Sequence, residues 1–153
     1  MEEPRQIFQQ LNTLYIALLS GQLLLALVVV FLIDPSKTTG DNTLLYMLAP
    51  LFSIGSIIGA YVYSNWYFDQ VQQPMGLEET IQHYRQGIIN RAAMLDGGNI
   101  IMIIFMMMTN EQLFFLVFFA TGMLAFLLLR PSKEELIKRY PLTERQEAEL
   151  ANL

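Results

Sequence analysis

The chain has 153 residues, of which 54% are hydrophobic and only 15% charged, against about 25% charged in a typical soluble domain. Its net charge of −5 is spread over acids and bases that intermingle in loops and ends, and without a basic stripe or stacking platform a nucleic-acid partner is disfavoured. There is no cysteine, so disulfides, thiolate metal sites and thiol nucleophiles are excluded.

Residues 6–33, 42–68 and 112–129 carry no charge, giving uncharged runs of 28, 27 and 18 residues. About 20 apolar residues cross roughly 30 Å of hydrocarbon at 1.5 Å each, so three spans follow almost directly. The opening Met-Glu-Glu-Pro-Arg lacks the basic leader of a signal peptide, and no small-x-small cleavage site follows; the first apolar run is expected to stay as a span. A first helix is expected from Gln6 to Ile33, stopped by Asp34-Pro35-Ser36. After a polar loop, a second reaches about Trp66-Tyr67, with Asp41 and Thr43 as candidate caps and a kink at Pro50. Trp66, Tyr67 and Phe68 read as an aromatic anchor at the membrane surface.

The polar loop Asp69 to Gly76 contains Pro74. A third helix is expected to begin near Leu77, where Glu78 and Glu79 suit its positive end. Leu77, Ile81, Tyr84 and Ile88 recur at helical spacing, marking an amphipathic extension outside the bilayer. The uncharged part of this helix, residues 97–110, has 14 residues, or about 21 Å, too short to cross. A full span must therefore take in Arg91 and Asp96. Thr109 with Gln112 matches a capping box opening a fourth helix. Beyond Arg130-Pro131, Ser132 with Glu135 and Thr143 with Gln146 repeat that pattern, giving two short helices split at Pro141.

The expected fold is an all-α, four-helix antiparallel transmembrane bundle over residues 1–130, with spans near 8–33, 43–67, 88–109 and 111–130. An amphipathic cytoplasmic extension and a helical tail, 131–153, complete it. Eight basic residues (Arg5, Arg85, Arg91, Arg130, Lys133, Lys138, Arg139 and Arg145) then face one side and only Lys37 the other. That asymmetry places both ends in the cytoplasm under the positive-inside rule.

Arg91 and Asp96 are the only ionisable acid or base in the expected hydrocarbon layer, where a charge costs roughly 2.5–3.5 kcal/mol. Arg91 lies near the cytoplasmic edge, and the plainer reading has its long stem carry the guanidinium to the headgroups. Asp96 is about 10 Å deep and has no such stem. The two are about 140° apart around the helix and make a poor local pair, leaving Asn99, water or another helix as the partner of Asp96. Gln22 reads as interhelical glue. Matching the spans by depth sets Ser20 and Gly21, Gly59 and Ala60, Gly97, and Thr121 and Gly122 in one layer, with Gly55 and Gly59 as a GxxxG pair. The plainer reading is a tightly packed waist; the sharper one is a small polar cavity holding an exchangeable proton. His83 reads as a solvated surface histidine. Met102, Met106, Met107 and Met108 read as packing or lipid-facing rather than copper ligands. No cofactor or metal is expected, and without a hydrolase, zincin or phosphate-loop motif the chain is not expected to be an enzyme.

The stretch Tyr84-Arg85-Gln86-Gly87-Ile88-Ile89-Asn90-Arg91-Ala92-Ala93-Met94-Leu95-Asp96-Gly97-Gly98, with Arg130-Pro131-Ser132-Lys133-Glu134, resembles the signature of uncharacterised small four-span proteins of Gram-negative bacteria. The resemblance covers most of the chain and implies a multi-pass protein of the bacterial inner membrane. About 20 residues of the same segment are similar to the carboxylate helix of rotary ATPase proteolipids, where Asp96 matches the ion-carrying acid. Here, however, the acid lies on the first helix of its hairpin and the partner helix has no glycine stripe. Two functions are thus expected. One is an accessory or scaffold subunit of a larger inner-membrane complex, partnered by the bilayer and by membrane proteins or copies of itself. The other is a proton-linked transport component built on Asp96.

Overall fold

A computed structural model describes residues 4–32, 34, 42–109 and 111–151, all of whose regular structure is helical. α1 (Pro4–Leu32) and α2 (Thr43–Phe68) follow the first two uncharged runs. Pro4 opens α1, where a missing amide proton costs nothing. Ile33, the stop signal at Pro35-Ser36, and Asp41 lie outside the described residues. The cap of α2 is Asn42, not Thr43, which is already helical, and Asn42 makes no side-chain capping bond. Pro50 stands inside α2.

α3 (Leu77–Thr109) is one continuous helix of 33 residues with Glu78 and Glu79 in its first turn. α4 (Leu113–Leu128) is shorter than the expected 111–130 at both ends. The capping box at its start does not form. Thr109 is the last residue of α3, and its hydroxyl turns back to the Phe105 carbonyl at 2.8 Å, while Gln112 caps α4 by position and donates to the Val30 carbonyl at 3.1 Å. α5 (Lys133–Arg139) and α6 (Glu144–Ala151) form the tail. The box at Thr143 closes as expected, with the Thr143 amide on Gln146 Oε1 at 2.9 Å and the Gln146 amide on Thr143 Oγ1 at 3.4 Å.

α1, α2 and α3 are each long and apolar enough to cross a membrane; α4 adds up to a fourth crossing together with α5, from which it is bent by 70°. α3 is the central helix. Half of its apolar window, 50%, is buried inside the molecule, against 22% for α1 and 17% for α2. Contacts give the directions. Phe8 meets Tyr84 and Gln22 meets Asp96, so α1 runs with α3. Phe68 meets Tyr84 and Phe52 meets Phe105, so α2 runs against it. Phe115 meets Phe105, and Gly122 closes on Asn99, so α4 also runs against it.

The apolar interior falls into two clusters. One gathers Ile7, Leu11, Phe68, Tyr84, Ile88 and Phe126 and extends to Leu136, Tyr140 and Leu150 of the tail. The other, towards the far end, gathers Ala49, Met102, Ile103, Phe105, Phe115 and Phe119. Phe68 is fully buried and Trp66 is 59% exposed, so the expected aromatic anchor divides. The tail packs over the end of α2 and covers Phe68.

Candidate functional site

Between the two apolar clusters lies a polar layer. Gln22 donates from Nε2 to Asp96 Oδ1, and its Oε1 accepts from Asn99 Nδ2 at 2.7 Å. Gln22 and Asn99 are buried, and Asp96 is half-buried. One primary amide thus satisfies two polar side chains three residues apart on α3, which their helical spacing puts on a common face. A Cβ on Gly122 would overlap the Asn99 carboxamide, and one on Gly98 would overlap the Ser56 hydroxyl. Glycine at these two positions lets α4 and α2 close over the layer. Ser53 adds a bond to the Phe118 carbonyl at 3.2 Å.

The expected waist forms only in part. Ala60 is buried, Gly122 closes on Asn99, and a Cβ on Gly59 would stand 3.0 Å from Met94 Cε. Ser20, Gly21, Gly55, Gly97 and Thr121 are exposed, with open space before Gly21, Gly55 and Gly97. Depth sets the height of a residue along its helix but not the direction it faces, and these five face outward.

A second polar centre lies in the N-terminal half of α3, where the tail packs on it. Arg91 does not extend to the surface. It is 2% exposed, and its Nη1 and Nη2 donate to Glu135 Oε1 and Oε2 at 2.6 and 2.9 Å. α5 lies across the route a snorkelling stem would take, and a bidentate carboxylate answers the desolvated guanidinium. Arg91 Nε is the one buried side-chain polar atom without a partner among the described residues.

α5 is prepared for this pairing. Ser132 caps it, accepting the Glu135 amide at 3.1 Å. In a complete capping box the Glu135 carboxylate would return to the Ser132 amide. Here the Tyr84 hydroxyl accepts that amide instead, at 3.1 Å, and lies 3.0 Å from Glu135 Oε2 and 3.1 Å from the Ser132 carbonyl. The carboxylate is thereby free for Arg91. Burial, reinforced by the Glu135 charge, pushes the Tyr84 phenol well above its ordinary value, so it stays a neutral donor.

His83 is only partly solvated. Its ring is half-buried, stacks on Tyr67 at 4.3 Å between centroids, and sets Nδ1 2.7 Å from the Tyr140 hydroxyl. Burial lowers its pKa, favouring the neutral ring. Met102 and Met106 are core residues, while Met107 and Met108 face outward. Among the described residues no group of histidines and carboxylates is placed to hold a metal ion.

Sequence reasoning singled out Arg91, Asp96, Asn99 and Gln22, and the structure brings the last three together. It missed Glu135 as the partner of Arg91, and Tyr84 as the partner of Glu135 and Ser132. The half-used capping box at Ser132 and the buried spacing of Tyr84 were the visible signals, but nothing in them pointed 44 residues back to Arg91. No protein-family model, no curated protein and no solved structure matches this chain, so its geometry carries the functional reading.

Proposed function

We propose that this protein is a small non-catalytic accessory or scaffold subunit of a larger bacterial inner-membrane complex, folded as a four-span antiparallel bundle with both ends cytoplasmic. The observation that supports it is an outward-facing cleft between α2 and α3. It measures about 510 Å³, and Gly55, Ser56, Gly97 and Gly98 line it together with Phe52 and Met94. Lipid chains gain little from bare backbone, whereas a helix of another membrane protein gains close approach and van der Waals contact. Gly55 and Gly97 have open space before them within the chain, which suits a partner's transmembrane helix. The eight-to-one distribution of basic residues supports the orientation. Purification in mild detergent should recover a stoichiometric membrane-protein companion. Gly55→Leu combined with Gly97→Leu should release it while leaving the thermal transition in place. A solitary monomer with no companion would end this reading.

The half-exposure of Asp96 favours a second reading, a proton-linked component of a transport process. Against it, among the described residues the layer of Asp96 has an apolar cluster on each side, and the polar centre on the tail side is closed by the ion pair of Arg91 with Glu135. Asp96→Asn keeps the shape and removes the charge. Loss of a proton-dependent activity with assembly intact would select this reading over the scaffold.

A further inference from the structure

α3 is the least self-sufficient of the long helices. Its crossing segment holds Arg91 and Asp96, and an ionisable side chain is expensive to insert into hydrocarbon. The two are answered from opposite directions along the chain. Asp96 takes Gln22 from α1, made earlier, while Arg91 takes Glu135 from α5, made after α4. A chain threaded N-terminus first has Gln22 waiting when α3 arrives. For Arg91 it has only the Tyr15 hydroxyl of α1, a neutral group, and no carboxylate until the tail is complete.

We propose that α3 occupies its spanning position only provisionally until α5 delivers Glu135 to Arg91, and that the C-terminal segment is an insertion clasp for the third span. This rests on the four-span orientation proposed above. Three features of the clasp support it. Ser132 holds the Glu135 amide, so the carboxylate arrives oriented. Tyr84, two turns before Arg91, takes the amide that the carboxylate would otherwise satisfy. Leu136, one residue beyond Glu135, is fully buried in the cluster beneath, so the apolar contact and the ion pair form together. The tail is thereby part of the mechanism that keeps a charged helix across the bilayer, and its loss affects a segment far from it in sequence.

The native chain has no cysteine, so single introduced thiols report cleanly. Glu111→Cys, at the turn between α3 and α4, is labelled with a membrane-impermeant maleimide from the face opposite the tail, and Arg145→Cys marks the tail face. In the Glu111→Cys background, Glu135→Ala should cut labelling severalfold, and adding Arg91→Met should restore it. If Glu135→Ala accumulates poorly, recovery of its level by Arg91→Met carries the same meaning. Undiminished labelling in Glu135→Ala overturns the proposal. So does failure of Arg91→Met to restore either labelling or level, because the defect is then not an unpaired guanidinium. If Glu111→Cys and Arg145→Cys label from the same face in the otherwise unaltered chain, the orientation itself is wrong and the clasp falls with it.

Discussion

Arg91 and Asp96 are both ionisable side chains on a helix apolar enough to cross a membrane, and they are accommodated differently. Arg91 is desolvated almost completely and matched by a bidentate carboxylate, whereas Asp96 is half-buried and held by one amide. Removing one partner of a buried pair costs about 3–5 kcal/mol, far more than the pair contributes over an apolar replacement. Tyr84→Phe is the gentler probe of the same network. It leaves the Ser132 amide without an acceptor and should lower stability by about 1–3 kcal/mol, read as an earlier thermal unfolding transition in detergent. His83 gives a pH signature. Its folded pKa lies below the ordinary 6.5 because burial disfavours the charged ring, so the unfolded chain takes up the proton first as pH falls. The stability this ring contributes is fully present above that ordinary value and is lost as pH drops through it towards the lower folded one. Thermal melts across mildly acidic pH should show this decline, and His83→Phe should flatten it.

Helix by helix, the glycines separate into two kinds that the sequence does not distinguish. Gly98 and Gly122 sit where a side chain would strike Ser56 or Asn99, while Gly21 and Gly97 face open space. Gly122→Ala is therefore expected to destabilise by about 1–3 kcal/mol through overpacking. Gly21→Ala should be neutral or stabilise by up to about 1 kcal/mol, since alanine favours the helix. Chemical denaturation of the two variants side by side tests the contrast. Capping shows the same limit of local reading. Thr143 with Gln146 closes its box from adjacent residues alone. Ser132 with Glu135 closes only half, because Tyr84 and Arg91 compete successfully for the other half. Thr109 is absorbed into the end of α3, where its hydroxyl finds a nearer carbonyl.

In the whole molecule, the tail and the long helices share one apolar cluster that runs from Ile7 and Tyr84 to Leu136 and Leu150. The tail is thus expected to unfold with α3 rather than ahead of it. Hydrogen exchange should show the amides of α5 opening together with the first turns of α3. Leu136→Ala, which empties a fully buried position at a cost of about 2–5 kcal/mol, should raise exchange in both. Independent exchange of α5 would instead describe a free arm.

The sequence by itself determined that the chain is helical, where its helices lie to within a few residues, and that the first two uncharged runs are long and apolar enough to cross a membrane; the third run forms the 16-residue α4, which reaches that length only with α5, and the third long helix is α3. Those properties depend on uninterrupted runs of residue type and on neighbours within a turn or two, which a linear reading contains. The tertiary structure alone decided which way each helix faces, and with it the partners Gln22 for Asp96 and Glu135 for Arg91. It also turned Gly55 and Gly97 outward and brought His83 against Tyr67. Rotation about a helix axis leaves length, apolarity and depth unchanged, and only packing against the other helices selects one rotation from the rest.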